Sequence, residues 1–213
     1  MVFGKIEYLN LLPFHVFMKH YTRSSSEKMS MHYKRGVPSN INEKFMRRRV
    51  DAAFISSINA RRFQNVNLGI IAKKEVLSVL VIPNTKNEID LESATSNVLS
   101  TVLNVNGEVL IGDKALRYVL AGNDYIDLAK VWNDKYHLPF VFAVLCFHKD
   151  KSRYKQIQTR FLKQKVKIPQ YILTHASKRT GVSNKDILNY LKYISYNLDS
   201  KAKLGLKKFY SLV

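Results

Sequence analysis

Short apolar runs rich in β-branched residues alternate along the chain with longer stretches in which apolar positions recur at helical spacing. That alternation predicts an α/β fold rather than a helical bundle. A first strand is expected over 2–9, after which Asn10 stands where a helix N-cap belongs and Pro13 fits the first turn of a helix reaching residue 21. A polar loop is expected over 23–28. Gly36-Val37-Pro38-Ser39 reads as a turn into a second helix capped by Ser39, with Ile41, Phe45 and Met46 on its apolar side. A short buried strand over 51–55 and a short helix carrying Arg61 and Arg62 follow, then strands over 66–72 and 76–83.

The polar stretch 84–92 carries the chain toward a second lobe. Ser93-Ala94-Thr95-Ser96 opens a short helix, 108–111 forms a strand, and Asp113 is placed as the cap of a helix over 114–121. A return strand is expected over 138–143. The remainder is expected to be helical, with Tyr154, Ile157, Phe161 and Leu162 on one face and Ile172, Leu173 and Ala176 on another. Ser183 with Asp186 forms a capping-box-like start for a helix holding Ile187, Leu188, Leu191 and Ile194, and the last helix uses Leu204, Leu206, Phe209 and Leu212. Two crossings, near 82–86 and 140–144, describe a fold of the type II periplasmic-binding-protein kind. Its first lobe is discontinuous, 1–83 plus 145–213, and its second, smaller lobe is 84–144.

Three segments, 5–14, 51–57 and 110–117, run from an apolar strand straight into a polar helix start. At such junctions unpaired backbone N–H groups and the positive end of the helix dipole point beyond the sheet edge, where open α/β sheets bind ligands. The small polar side chains found there, Asn10, Ser56, Ser57 and Asp113, point to a cleft for a small carboxylate-bearing molecule.

Charge modifies this picture more than composition does. The formal charge is +19, yet Lys and Arg are spread along the chain, with clusters at 47–49, 149–167 and 201–208, and no zinc-finger, RNA-recognition or basic-zipper signature accompanies them. A generally basic surface is expected rather than a specific nucleic-acid groove; such a surface also attracts a dianionic metabolite. No apolar run approaches the roughly 20 residues that span a bilayer, and no signal-peptide pattern opens the sequence, so membrane insertion is not expected and a cytoplasmic location is. Cys146 sits in an apolar run and is expected to be buried packing. The six histidines show no metal-ligand spacing, and Gly-rich phosphate loops, G-x-S-x-G elbows and paired cysteines are absent.

Seven motifs in register carry a resemblance that extends along nearly the whole chain. They are Ile-x-Tyr-Leu-Asn-x-x-Pro from Ile6, Gly-Val-Pro-Ser from Gly36, Asp-x-x-x-Ile-Ser-Ser from Asp51, Val-x-Ser-Val from Val76, Ser-Ala-Thr-Ser from Ser93, Ile-Gly-Asp-x-Ala-Leu-Arg from Ile111 and Leu-Pro-Phe-Val-Phe-Ala from Leu138. Together they resemble the chorismate dehydratase family of the futalosine route to menaquinone. The resemblance implies a cytoplasmic hydro-lyase on a periplasmic-binding-protein-like scaffold, converting chorismate to 3-[(1-carboxyvinyl)oxy]benzoate with neither metal nor organic cofactor. It implies Asn10 and Ser78 as the catalytic positions; the polar residues at the other strand ends and helix starts, Ser56, Ser57, Ser93, Thr95, Ser96 and Asp113, are expected to bind the substrate. Two departures stand out: only a short helix and a turn fit between Ser96 and Ile111, so the second lobe is reduced, and Lys73-Lys74-Glu75 replaces the family's Asp-Gly-Pro.

Read locally, Asn10 and Asp113 are helix caps before they are anything else, the hydroxyl residues are helix starts, and Ser78 is a solvent-facing strand position. Without His or Glu in the matching motifs, the substrate's own enolpyruvyl carboxylate is the expected proton acceptor. The alternative to an enzyme is a non-catalytic module that closes on a small carboxylate. Dihydroxynaphthoate synthase, the sister enzyme on a similar scaffold, has a Ser-Pro-x-Pro-Asn-Asp-like opening that Glu7-Tyr8-Leu9-Asn10 does not match. The sequence leaves the oligomeric state open.

Overall fold

A computed structural model describes residues 1–23 and 32–213. Of the polar loop expected over 23–28, Arg23 ends a helix and the rest lies outside the described residues. The chain begins β1 (Val2–Ile6), α1 (Leu12–Arg23), β2 (His32–Gly36), α2 (Pro38–Met46), β3 (Ala52–Ser56), α3 (Ser57–Ala60) and β4 (Asn65–Ala72). It continues through β5 (Val79–Ile82), α4 (Ala94–Leu103), β6 (Glu108–Ile111), α5 (Gly112–Leu120), β7 (Ile126–Asp127) and α6 (Leu128–Tyr136). It ends with β8 (Phe140–Phe147), α7 (Lys151–Lys163), α8 (Gln170–Thr180), α9 (Asn184–Tyr190), β9 (Ile194–Asn197) and α10 (Ser200–Leu212).

The strands form a larger sheet in the order β2-β1-β3-β8-β4-β9 and a smaller one in the order β6-β5-β7. β1 runs parallel to β2 and β3, whereas β8 runs antiparallel to β3 and β4. The C-terminal ends of β1, β3 and β4 and the start of β8 therefore share one edge. In the smaller sheet Val79 at the start of β5 pairs with Ile111 at the end of β6. These two edges are the walls of the cleft described below.

Several expectations are corrected. β5 bonds β6 on one side and β7 on the other, so the first crossing runs through 73–78 and not 82–86; β-branched content marks a strand but not the sheet it joins. The C-terminal part is not wholly helical, because Ile194 and its neighbours form β9 on the free side of β4. β2 and β7 were hidden by polarity and brevity: β2 has no buried residue and β7 has two residues in all. The α2 cap position is Val37, which has no side chain able to accept, and Ser39 lies inside the first turn. In α10 the buried face is Ala202, Gly205 and Phe209. A Cβ on Gly205 would sit 2.1 Å from the Pro139 carbonyl oxygen, and this close approach leaves Leu204 outside.

Two aromatic clusters hold the helices on the strands. Phe14 of α1 meets Phe54 of β3 at 5.0 Å and Phe161 of α7 at 5.3 Å between ring centroids. Trp132 of α6 lies 5.1 Å from Phe140 of β8, which lies 5.1 Å from Phe209 of α10. Each such pair contributes about 0.5–1.5 kcal/mol beyond its area. Cys146 is fully buried in β8, in the packing role expected of it, and burial pushes its thiol up to about 12.

Candidate functional site

β1 does not run straight into α1. A 3-10 turn over Leu9–Leu11 intervenes, with Tyr8 rather than Asn10 at its cap position and no side-chain cap. The N-cap expectation for Asn10 is therefore replaced: its Oδ1 is buried without a hydrogen-bond partner among the described residues. The turn is held from outside, since the Tyr196 hydroxyl of β9 donates to the Asn10 carbonyl at 2.7 Å and the Leu9 N–H donates to the Asp113 carboxylate at 2.9 Å. A buried amide oxygen left without a donor is costly unless a ligand supplies one.

Ser56 ends β3. Asn42, on the buried face of α2 with Ile41 and Phe45, donates to Ser56 Oγ at 2.7 Å and accepts the Ser56 N–H at 3.1 Å. Ser78 precedes β5 and is 2% exposed, which excludes the solvent-facing reading. The turn that aims it contains Leu77 with φ 61°, a left-handed conformation costing about 1–3 kcal/mol outside glycine. One carboxylate offsets that cost. Asp127 accepts from Val76 N (2.9 Å) and Leu77 N (2.7 Å), and also caps α6 through Ala129 N (2.9 Å) and Lys130 N (3.0 Å). Burial raises the Asp127 carboxyl above the usual range, and the four N–H bonds oppose that rise. The Tyr190 hydroxyl, from the end of α9, donates to Ser78 Oγ at 2.8 Å.

The segment from Ser93 opens α4 as expected, with Ser93 as the N-cap, accepting from Ser96 N at 3.2 Å while its hydroxyl donates to Ser96 Oγ at 2.7 Å. The remaining expected positions are engaged elsewhere. Ser57 donates to the Val141 carbonyl at 2.6 Å, and Thr95 Oγ1 accepts from Ile58 N at 3.2 Å. Asp113 does not cap α5, whose cap position is Ile111; its carboxylate receives Leu9 N and pairs with Arg179 at 3.2 Å. Burial raises the Asp113 carboxyl, and those two contacts oppose it.

Asn10, Ser56, Ser78, Ser93 and Ser96 come together on one cleft, closed off by Ile6, Phe54, Ile70, Val76 and Phe142. Among the described residues, none that lines it carries a charge. The expectation of a ring of free backbone donors is also revised, since Leu9, Ile58, Ser96, Ile111 and Gly112 N–H groups are all bonded within the protein. The cleft presents hydroxyls and one amide instead.

The cleft is shut. Its solvent-sized space is about 70 Å³, against roughly 300 Å³ at the low end for small-molecule sites. Contacts across it account for this: Tyr8 hydroxyl to Glu92 carboxylate, Ser39 N to Glu92 carbonyl at 3.1 Å, and Arg117 to the Thr180 carbonyl at 2.9 Å. Gly112, with φ 69°, lets the α5 start lie on the Tyr8 ring, where a Cβ would come within 2.7 Å. Burial, and then Glu92, raise the Tyr8 hydroxyl far above its ordinary range, so it stays a donor.

A larger cavity of about 470 Å³ lies on the other side of Tyr8, between β1, β2, α1 and α8. Its charges are already engaged: Glu7 with Lys5 at 3.3 Å and Arg35 at 3.5 Å, Arg179 with Asp113, and Lys19 with the Tyr171 hydroxyl at 3.1 Å. None of the polar positions singled out in the sequence lines it. Size favours this cavity, but convergent polar groups and an unsatisfied amide favour the smaller cleft.

Sequence reasoning missed Tyr8, Asn42, Asp127 and Tyr190. Asn42 carried a signal, being a polar residue among the apolar positions of an amphipathic helix. Asp127 also carried one, standing just before a helical run as an N-cap does. Tyr190 carried none, because its partner lies 112 residues away in the chain.

Two facing sheets with a shut, uncharged cleft between them define a scaffold of the periplasmic-binding-protein class. Solved structures agree on the fold. A protein of Archaeoglobus fulgidus superimposes with TM-score 0.71 at 12% identity, covering 99% of this chain and 95% of that one. A Candida albicans gene product described as having the generic periplasmic binding protein fold gives 0.56 at 14%, covering 100% and 89%. The periplasmic aliphatic sulphonate binding protein SsuA of Escherichia coli gives 0.58 at 12%, covering 100% and 85%. Sequence narrows the class to one family. The chain belongs to the menaquinone biosynthesis family, whose model matches residues 1–106 and 92–213. Over 213 residues it is 48% identical to the chorismate dehydratase of Campylobacter jejuni subsp. jejuni serotype O:23/36 (strain 81-176), covering 98% of this chain and 96% of that protein.

Proposed function

We propose that the chain is a chorismate dehydratase, a hydro-lyase that turns chorismate into 3-[(1-carboxyvinyl)oxy]benzoate on the futalosine route to menaquinone, in the cytoplasm and without metal or organic cofactor. The observation that carries the reading is the cleft itself: an uncharged, largely apolar lining with Asn10 holding a buried amide oxygen that no group among the described residues satisfies. The near full-length identity to a chorismate dehydratase supports it.

The reaction removes the proton from the carbon bearing the enolpyruvyl ether. The electron pair spreads through the ring double bond into the ring carboxylate as an extended enolate. The neighbouring C–O bond then breaks, the hydroxyl leaves with one proton as water, and the ring becomes aromatic. The enzyme's work is to orient the dianion, exclude water and stabilise the enolate. Asn10 faces the departing hydroxyl with both a donor and an acceptor, and Ser78 supplies a hydroxyl at the reacting ring. Ser56, Ser93 and Ser96 hold the carboxylates, while Ser57, Thr95 and Asp113 fix the walls that carry them. Among the described residues the lining has no carboxylate or imidazole side chain, which supports the substrate's enolpyruvyl carboxylate as the proton acceptor. Two lobes, one on each sheet, separate to admit substrate and close to the state described here.

The test is incubation of the purified protein with chorismate in metal-free buffer, followed by chromatography and mass spectrometry. A product lighter by one water with an aromatic spectrum is expected. Chorismate bound but unchanged would leave a carboxylate-binding module in place of an enzyme.

A further inference from the structure

Two serines on opposite walls of the cleft are held in the same way. At Ser56, Asn42 Oδ1 accepts a backbone N–H, so Asn42 Nδ2 is necessarily the donor to Ser56 Oγ at 2.7 Å. At Ser78 the phenol of Tyr190 donates to Oγ at 2.8 Å, as the more acidic of two hydroxyls does. Tyr190 is 3% exposed and Asn42 2%, so neither donor has water to turn to. With an acceptor position on each serine oxygen already filled, the serine's own proton is directed elsewhere, and both serines line the cleft.

We propose that Tyr190 and Asn42 are positioning residues that fix Ser78 and Ser56 as hydrogen-bond donors into the cleft, forming an uncharged two-donor clamp for oxygens that only accept, namely carboxylate or enolate oxygens. This deepens the chorismate reading and rests on it for the identity of the ligand. The clamp explains how a dianion is held where, among the described residues, no lysine or arginine lines the cleft, since hydrogen bonds to charged groups are stronger than neutral ones and gain further from low local dielectric. It also assigns Ser78 a direction: it gives a hydrogen bond to developing negative charge and does not receive the substrate's proton.

The experiment is a double-mutant cycle of Tyr190→Phe and Ser78→Ala, read as kcat and KM for chorismate and as chorismate affinity by calorimetry. Tyr190→Phe keeps the ring that packs the core and removes only the donor. It is expected to lower kcat/KM by about 10-fold, most of it in kcat, and to cost nothing further once Ser78 is Ala. An equal loss in both backgrounds, or no loss in either, overturns the proposal. Where Tyr190→Phe does not fold, a ring-fluorinated tyrosine at 190, a stronger donor, replaces it: raised kcat/KM supports the clamp, and unchanged or lowered kcat/KM overturns it. A wild-type protein that binds chorismate without turning it over removes the dehydratase reading while the cycle is still decided on affinity. A wild-type protein that does neither removes both.

Discussion

In the proposed assignment, Asn10 is where the demands of folding and of chemistry separate. Its Oδ1 is buried and has no partner among the described residues, a penalty of about 1–3 kcal/mol, and its backbone is held by Tyr196 regardless of its side chain. Asn10→Ala is therefore expected to leave the thermal midpoint unchanged or raised while lowering kcat by about 100-fold or more. Calorimetric melting and chorismate turnover on the same sample check both halves, and a destabilised but active variant would sink the assignment. His15 gives the corresponding pH signature. Its Nε2 donates to the Ile6 carbonyl at 2.7 Å at the end of β1, which favours the charged ring, but burial prevails and lowers its pKa to about 4. In the unfolded chain it titrates near 6.5, so between those values the unfolded state binds the extra proton. Stability is full above pH 6.5 and falls as pH drops toward 4, by at most about 3 kcal/mol. Urea melts at pH 7 and 4.5 are expected to show that loss in the wild type and a smaller one in His15→Gln.

At the scale of elements, the legible parts were those whose signal is local. The strand expected over 108–111 has those bounds, the segment from Ser93 opens α4, and Ser183 with Asp186 opens α9 by mutual hydrogen bonds of 2.6 and 3.1 Å. What escaped depends on distant partners. Asn10 and Asp113 are residue types that cap helices, and only the fold shows that one faces a cleft and the other holds a turn 104 residues away. Polar β2 and four-residue β9 gain strand geometry from their neighbours and not from their own pattern. Five of the eight expected site residues line the cleft, and three brace it, because helix-start hydroxyls serve either end equally well. The element that matters most to the site is the turn before β5. Asp127 ties that turn to the start of α6, so Asp127→Ala is expected to cost about 3 kcal/mol of stability from lost caps and buried N–H groups. It also frees Leu77 from its left-handed conformation and lowers kcat with it, whereas a variant destabilised with kcat intact would detach the turn from the site.

For the whole molecule, the unusual quantity is a formal charge of +19 around a cleft that, among the described residues, is lined by no charged one. Charge on the walls would bind substrate and product alike, and both are dianions in the proposed reaction; charge on the outer surface acts mainly before contact, by raising the local concentration of an anion and its rate of encounter. The two arrangements respond differently to salt. At 0.1 M the screening length is about 10 Å and at 1 M about 3 Å, so a field reaching the cleft mouth from scattered lysines and arginines is lost while hydrogen bonds inside a shut cleft are not. kcat/KM for chorismate is therefore expected to fall by about 10-fold between low salt and 0.5 M, with kcat unchanged. Steady-state kinetics across a sodium chloride series checks this, with a sucrose series matching viscosity to separate encounter from chemistry. If kcat/KM proves indifferent to salt, the basic surface is not steering this substrate. A fall in kcat along with it would mean that the charged contacts between the two walls, Arg179 with Asp113 foremost, set the rate of the closed state.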